Sequence, residues 1–192
     1  MLQFKRSLFA YLWLSLVCGL IYPLLITIAA QTMFTTKANG SIIRQGNQIM
    51  GSQLIGQSFM SSKYFQGRPS ATDPPYDASG SGGSNLAPSN AKLIEEARNR
   101  VERTRRVNNL LPDTPVPADL VLASASGLDP HISPAAAALQ VRRISSERKM
   151  AEAESEQIIH QNTERQLLGI WGKERVNVLL LNLALDGNKN NR

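Results

Sequence analysis

The run LFAYLWLSLVCGLIYPLLITIAAQTMF fills residues 8–34, and no charged residue occurs between residues 7 and 36. At 1.5 Å per residue, about 20 apolar residues cross the roughly 30 Å hydrocarbon core, so this run spans it with length to spare. Pro23 interrupts the run, which a membrane helix tolerates better than a soluble one. A cleaved signal peptide is the rival reading, with small-residue sites at Thr27-Ile28-Ala29 and Ile28-Ala29-Ala30. A signal's apolar region is usually about 7–15 residues, shorter than the run ahead of either site, and this favours an uncleaved anchor.

The anchor is placed at residues 7–36, between a tail of residues 1–6 and a domain of residues 37–192. Lys5 and Arg6 precede it, Lys37 and Arg44 follow it. That near balance leans toward a cytoplasmic N-terminus and an extracytoplasmic domain, because a short tail is readily left behind. Ser15 and Gly19, four apart, give one helix face a small-xxx-small surface for close approach by another helix. Cys18 is the single cysteine and lies in the span, so no internal disulfide and no multi-thiolate metal site is available.

The other nine prolines fall between Pro69 and Pro134, and eight of the 13 glycines between Gly40 and Gly83. The domain therefore divides into a Gly-rich front, a Pro-punctuated middle and a Pro-free helical end. Residues 41–44 (SIIR) and 48–56 (QIMGSQLIG) flank Gln45-Gly46-Asn47, which predicts a β-hairpin. Residues 67–90 lack periodicity, and Tyr64, Phe65 and Tyr76 in or beside them predict an ordered contact surface. A helix is expected from Ser89, with Leu93, Ala97, Val101, Thr104, Asn108 and Leu111 on one face and Pro112 as its stop. DLVLA at residues 119–123 reads as a buried strand. Ser133-Pro134 reads as the cap and first residue of the next helix. A further helix is expected through EAESEQIIHQNTE, and VNVLLLNLALD from Val176 fits either period, with helix preferred. The whole reads as α+β: one transmembrane helix, then one mainly helical extracytoplasmic domain with a small β-hairpin or sheet.

The chain has 192 residues with a net charge of +6, but its densest basic run is not a nucleic-acid stripe. Arg98, Arg100, Arg103, Arg105 and Arg106 spread over more than half of a helix circumference, with no stacking aromatics. Glu96 with Arg100 and Glu102 with Arg106 stand in the favourable four-residue order, so a solvated helix surface is expected. Residues 51–58 carry P-loop glycine spacing, yet Gln57 stands where the phosphate-binding lysine belongs. Ser81, Gly82, Gly83, Ser84 and Asn85 form a glycine turn whose amides could cradle an anion. Asp129 and His131, with Asp73 and Asp77, make a poor metal set, and no G-x-S-x-G-like element accompanies them. His131 is expected to be packed or hydrogen-bonded at the start of the Pro134 helix, and His160 to be solvated. Read from its residues, the chain is an anchored, non-catalytic exported module.

GSQLIGQSF (residues 51–59), YFQGRPSA (64–71), YDASGSGGSNLAPSN (76–90), VPADLVLASASGLDPHISPAAAALQVRRI (116–144) and VNVLLLNLALD (176–186) together resemble the C subunit of Kdp-type potassium-transporting ATPases. The likeness runs in order over nearly the whole chain, anchor included. Ala125 stands where the family usually shows glycine, and Ser61-Ser62 replace a more usual proline-containing stretch.

The resemblance implies one subunit of a four-part bacterial inner-membrane pump. Its partners would be a potassium-selective channel-like subunit, a P-type ATPase subunit and a small hydrophobic subunit. It further implies a non-catalytic role in assembling or stabilising the complex and in raising the ATP affinity of the ATPase subunit, in some accounts through a shared ATP contact. The phosphorylation motif DKTGT is absent. No cofactor of its own is expected. ATP is cytoplasmic, whereas Gln57 and residues 81–85 are expected outside, so either any effect on ATP travels through the membrane subunits or the orientation is the reverse. The first is preferred, because a six-residue tail cannot hold a nucleotide. Two other readings are an anchored periplasmic hydrolase using Asp129 and His131, and a membrane-anchored periplasmic binding or adaptor module.

Overall fold

The computed structural model describes residues 2–189 and divides into two compact units, Met1–Ile42 and Ile43–Arg192.

In the first unit, helical structure runs without a break over the 32 residues Leu2–Met33, and its most apolar 18-residue stretch has a mean hydropathy of 2.2. It comprises α1 (Leu2–Leu16), a π-helical turn (Val17–Ile21) and α2 (Tyr22–Met33), and α3 (Thr35–Ala38) adds one further turn. The π turn has a local cause. Pro23 has no N–H and its ring would strike the carbonyl of Gly19, four residues back; widening the preceding turn relieves the clash. The Tyr22 N–H accordingly reaches back five residues, to the Val17 carbonyl. Three side-chain hydroxyls in the helix are satisfied internally: Ser7 donates to Gln3 O at 3.0 Å, Thr27 to Pro23 O at 2.7 Å and Thr32 to Ile28 O at 2.9 Å. A hydrocarbon environment demands such self-sufficiency. Apolar side chains stay uncovered along the whole helix, among them Phe9, Leu12, Trp13, Leu24 and Leu25.

In the second unit, the expected hairpin is present as β1 (Ile42–Gln45) and β2 (Gln48–Ser52), with Gly46 at φ +60 in the turn. A three-stranded antiparallel sheet has the order β3 (His131–Ile132), β5 (Arg175–Asn177), β4 (Thr163–Glu164). Ile132 and Thr163 both pair with Val176. The last apolar segment is therefore both things: strand to Asn177, then α7 (Val178–Lys189). The side chain of Asn177 makes the switch by accepting the Leu180 N–H at 3.2 Å.

The core lies between α5 (Pro134–Arg148), α6 (Glu152–Gln161), α7 and the sheet. Ser133 caps α5 as expected, accepting the Ala136 N–H at 3.1 Å. Ala136, Ala137, Gln140, Val141, Ile144 and Ser145 form its buried stripe, and the two alanines let neighbouring elements approach closely. Ile158 and Ile159 of α6, Val176 of β5, and Leu181 and Leu185 of α7 complete the apolar cluster. Buried hydroxyls of Ser145 and Ser155 tie α5 to α6 at 2.7 Å.

Three expectations are corrected. DLVLA is no strand: Ala118–Leu120 is a 3-10 turn with Leu120 and Val121 buried, and the N–H groups of Leu120, Val121 and Leu122 are taken up locally by the Pro117 and Ala118 carbonyls instead of a ladder. The basic helix α4 (Ala91–Val107), capped by Asn90, ends before Pro112, and Leu111 is 77% exposed. Asn109 turns the chain at φ +52 instead. Arg100 and Arg105 are also half-buried and not freely solvated, unlike the exposed Arg98, Arg103 and Arg106. Arg100 pairs with Glu96 at 3.1 Å and donates to Val121 O, while Arg105 donates twice to Thr114 O. They clamp the Pro-rich connector onto the helix.

Phe65 is fully buried, so this aromatic belongs to the core and not to an outer contact surface. Two side-chain amides hold its irregular segment. Asn182 of α7 accepts the Phe65 N–H at 2.8 Å and donates to Phe65 O at 3.0 Å. Gln140 of α5 accepts the Gln66 N–H at 2.8 Å and donates to Gln66 O at 3.1 Å. Each amide thus does for one residue what a neighbouring strand would do. Arg143, 5% exposed, completes the arrangement. It donates to Asn108 Oδ1 at 2.9 Å, Gln140 Oε1 at 2.8 Å, Tyr64 O at 3.0 Å and Ser62 O. Burial pushes its pKa down, opposed by the Glu147 carboxylate.

Arg143→Met is expected to destabilise the domain by about 3 kcal/mol or more, because it strands two carbonyls and two side-chain oxygens. Arg143→Lys should recover less than half of that, lacking the planar fork. Asn182→Leu should cost about 2–4 kcal/mol despite similar volume, as both Phe65 backbone groups lose their partner. Urea unfolding in detergent, followed by circular dichroism, reads all three; a loss below 1 kcal/mol for Arg143→Met would contradict this account.

Candidate functional site

A chain of charges runs across the sheet edge. Asp129, on the loop entering β3, pairs with Arg68 at 3.1 Å through Oδ2. Its Oδ1 accepts the His131 backbone N–H at 3.0 Å and faces His131 Nδ1 at 3.5 Å. His131 Nε2 faces Glu164 of β4 at 4.0 Å, and Glu164 pairs with Arg175 of β5 at 2.8 Å. The register of the antiparallel sheet sets this order, since Glu164 lies opposite Arg175 and His131 opposite Asn177. His131 is thus held at the start of the Pro134 helix, as expected, and His160 is exposed.

The hydrogen bonds from His131, opposed by partial burial and aided by Arg68, lower the Asp129 pKa from 3.8 to about 2. Burial, with the Asp129 carboxylate adding to it, raises that of Tyr76. The Tyr76 hydroxyl donates to Arg68 O, and its ring lies where a Cβ on Gly56 would be, 2.9 Å away. The irregular stretch is therefore locked inward by Tyr76 as well as by Phe65.

Asp129 is engaged on both oxygens. Among the described residues, no Ser, Thr or Cys side chain is hydrogen-bonded to His131, and no group of three or more His, Cys, Asp and Glu could hold a metal. The arrangement orients and cross-links β3, β4, β5 and the Arg68 segment, without an activated nucleophile in it.

The glycine-rich candidates lie elsewhere. Gln57 turns back on β2, donating to Met50 O at 3.1 Å, and no helix begins after residues 51–58. Ser81, Gly82, Gly83, Ser84 and Asn85 pack along residues 124–127. The Gly82 N–H and the Ser81 hydroxyl both donate to Ser126 O, at 2.9 and 3.1 Å. A Cβ on Gly83 would stand 2.9 Å from Ala125 O, and one on Gly127 (φ +68) 2.7 Å from Gly82 O, so the two strings SGGSN and SASG touch backbone to backbone. In the first unit, Gly19 has open space around it, with nothing within 4 Å of a Cβ placed there.

One feature carried no motif. Beside the charge chain, a cleft of about 730 Å³ is bounded by Arg68, Asp129, His131, Arg165, Trp171 and Lys173, among others. Its outer wall is a tight loop in which Leu167 and Trp171 exchange both backbone hydrogen bonds, at 2.9 and 3.0 Å. Leu168 adopts a left-handed φ of +54 at its tip, followed by Gly169 at +71. Leu167, Leu168, Ile170 and Trp171 are 67, 77, 78 and 66% exposed. The available signal was the apolar run LLGIW between Arg165 and Lys173, too short to show a period.

Asp129→Asn is expected to cost about 1–2 kcal/mol at pH 7. A lowered carboxyl pKa contributes stability that is present above about pH 4 and is lost as the pH falls to about 2, so the variant and the parent should converge over that window. Paired urea titrations at pH 7 and pH 2.5 measure it; a gap at pH 2.5 as large as that at pH 7 would refute the ionic assignment. Gly127→Ala should destabilise more than Gly187→Ala, whose Cβ meets nothing.

Residues 4–187 match the family model described as "K+-transporting ATPase, c chain". The chain is 49% identical over 185 residues to the potassium-transporting ATPase KdpC subunit of Polynucleobacter asymbioticus, covering 96% of this chain and 97% of that one. It is 48% identical over 184 residues to proteins of the same name from Burkholderia mallei and Burkholderia pseudomallei, covering 95% of each chain. The match takes in the apolar helix, the Arg143 and Asn182 clamps and the charge chain together, and the chain belongs to the KdpC family of K+-transporting ATPase c chains.

Proposed function

We propose that this subunit is a non-catalytic accessory part of an ATP-driven, high-affinity potassium uptake pump. It is held in the bacterial inner membrane by Leu2–Met33, with its N-terminus cytoplasmic and its folded domain in the periplasm. The family match over residues 4–187 carries the reading. The uncovered apolar helix with open space at Gly19, and a domain whose His131 and Asp129 serve as cross-links, support it.

In this reading Ser15 and Gly19 pack against a helix of a partner subunit. The partners are the channel-like subunit, the P-type ATPase subunit and the small hydrophobic subunit of the pump. The subunit stabilises their assembly and raises the ATP affinity of the ATPase subunit from a distance. Gln57 and residues 81–85 are on the periplasmic side in this topology, so the coupling is a shift between two states of the assembled complex and not a shared nucleotide contact.

Gly19→Leu is expected to weaken co-purification of the complex in mild detergent, because the added side chain separates closely packed helices. Leu24→Ile and Leu25→Ile should be nearly silent; equal losses at all three positions would mean that no specific face exists. His131→Ala should lower the yield of complex while leaving potassium-stimulated ATPase activity per assembled complex within a few fold. A normal yield with a loss of about a hundredfold or more in turnover per complex, about 2.7 kcal/mol in barrier, would assign the residue a chemical role and overturn the accessory reading.

A further inference from the structure

We propose that the loop at residues 167–171 inserts into the headgroup–acyl boundary of an anionic lipid bilayer, giving the folded domain a second attachment to the membrane besides the Leu2–Met33 helix. Four large apolar side chains, Leu167, Leu168, Ile170 and Trp171, stand two-thirds or more exposed on one five-residue projection. A soluble surface scatters such residues singly; a contiguous group marks a surface with a partner. The projection is stiff. Leu167 and Trp171 are cross-linked by paired backbone hydrogen bonds, so the tip is presented without the entropy loss of ordering a floppy loop. Leu168 is held at φ +54, where a branched side chain is disfavoured, and it points no apolar surface into the core to compensate.

The flanks choose the partner. Arg165 precedes the tip and Lys173 follows it; both are exposed, and neither has a carboxylate within ion-pair distance among the described residues. Arg175 is paired with Glu164, and with Glu174 beside Lys173 the flank at residues 164–175 carries three cations against two carboxylates. An apolar wedge carrying a tryptophan, bracketed by unpaired cations, has the composition of an interfacial membrane contact: aliphatic tip in the acyl boundary, indole at headgroup level, cations on phosphates. A protein groove would accept the apolar tip equally well but gives no account of two unpaired cations at its rim. Only nine residues, 34–42, lie between Met33 and the second unit, so the tether supplies a high local lipid concentration. The inference rests on Leu2–Met33 lying in a bilayer. It is independent of which side the domain faces and of the pump.

Trp13 and Trp171 are the two tryptophans, so full-length Trp13→Phe protein isolates Trp171 as the reporter. It is reconstituted alone into vesicles of phosphatidylglycerol or of phosphatidylcholine, with or without brominated acyl chains. The expected result is quenching of Trp171 by brominated phosphatidylglycerol, protection from aqueous iodide, and clear weakening of both in phosphatidylcholine. Leu168→Asp with Ile170→Asp should abolish the quenching, and Arg165→Gln with Lys173→Gln should remove the preference for phosphatidylglycerol. These side chains are exposed, so an unchanged circular dichroism spectrum is expected and separates loss of insertion from loss of fold. Full iodide access with no bromine quenching in either lipid overturns the proposal. So does protection that appears only when the other pump subunits are co-reconstituted, or only at high protein density, because the occupant is then a protein or a second copy. Neither failure bears on co-purification of the complex, which tests the accessory role separately.

Discussion

A buried guanidinium governs how this domain closes. Arg143 has its charge among atoms that carry no formal charge, and burial of that kind is tolerated only when the donors are matched one by one. The partners come from three separate stretches of chain: Ser62 and Tyr64 from the irregular front, Asn108 from the end of α4, and Gln140 from α5 itself. Any arrangement that displaced one of them would leave a cation facing apolar side chains. The packing of α4 and of the front segment onto α5 is therefore fixed by a polar requirement, and the apolar cluster of Ile144, Ile158, Val176 and Leu181 fills the volume that this defines.

The same logic extends through Asn182 and Gln140. A chain segment without regular structure cannot ordinarily run through a core, because its N–H and C=O groups would go unpaired. Here two amide side chains serve both groups of two consecutive residues, Phe65 and Gln66, and this lets Phe65 be wholly buried. Arg148 continues the pattern at the edge: it pairs with Asp186 at 2.8 Å and lies 4.9 Å from the Tyr64 ring centroid. Helices α5 and α7 are thus as much polar scaffolds as apolar ones. The Asp129–His131–Glu164 chain is a further member of this cross-linking, on the outer side of the sheet.

The first unit follows a contrasting rule. The Ser7, Thr27 and Thr32 hydroxyls are satisfied within the helix, and at Pro23 the π turn absorbs the missing hydrogen bond. Apolar side chains face outward at all depths, and a small-residue position at Gly19 is open. One unit is built to present apolar surface and the other to hide most of it; Leu54, Met60 and Leu111 are exposed singly, whereas the Leu167–Trp171 loop exposes four large apolar side chains together. That loop breaks the rule of its own unit in the manner of the other.

The sequence alone determined those features that depend on neighbours along the chain. A charge-free run longer than the hydrocarbon thickness, a glycine turn between β-branched runs, and Ser133 ahead of Pro134 each carry their physical cause within a few residues, and each is found in the structure. Family membership was legible for a related reason: strings such as SGGSNL and SGLDPHISP are local. Tertiary structure decided what depends on residues far apart. Nothing near Arg143 in the sequence identifies Ser62 or Asn108 as its partners, and nothing near Phe65 identifies Asn182, 117 positions away. The arginines of α4 looked alike in sequence, but two of them found carbonyls on a folded-back connector. Asp119–Ala123 has the composition of a strand, yet its N–H groups close on the Pro117 and Ala118 carbonyls just before them, and it turns instead. The exposed LLGIW loop has the apolar content of a core segment; only the closing of the sheet beneath it, with β4 and β5 already paired, leaves those side chains outside, because a five-residue hairpin tip is too short to fold back over the core it leaves.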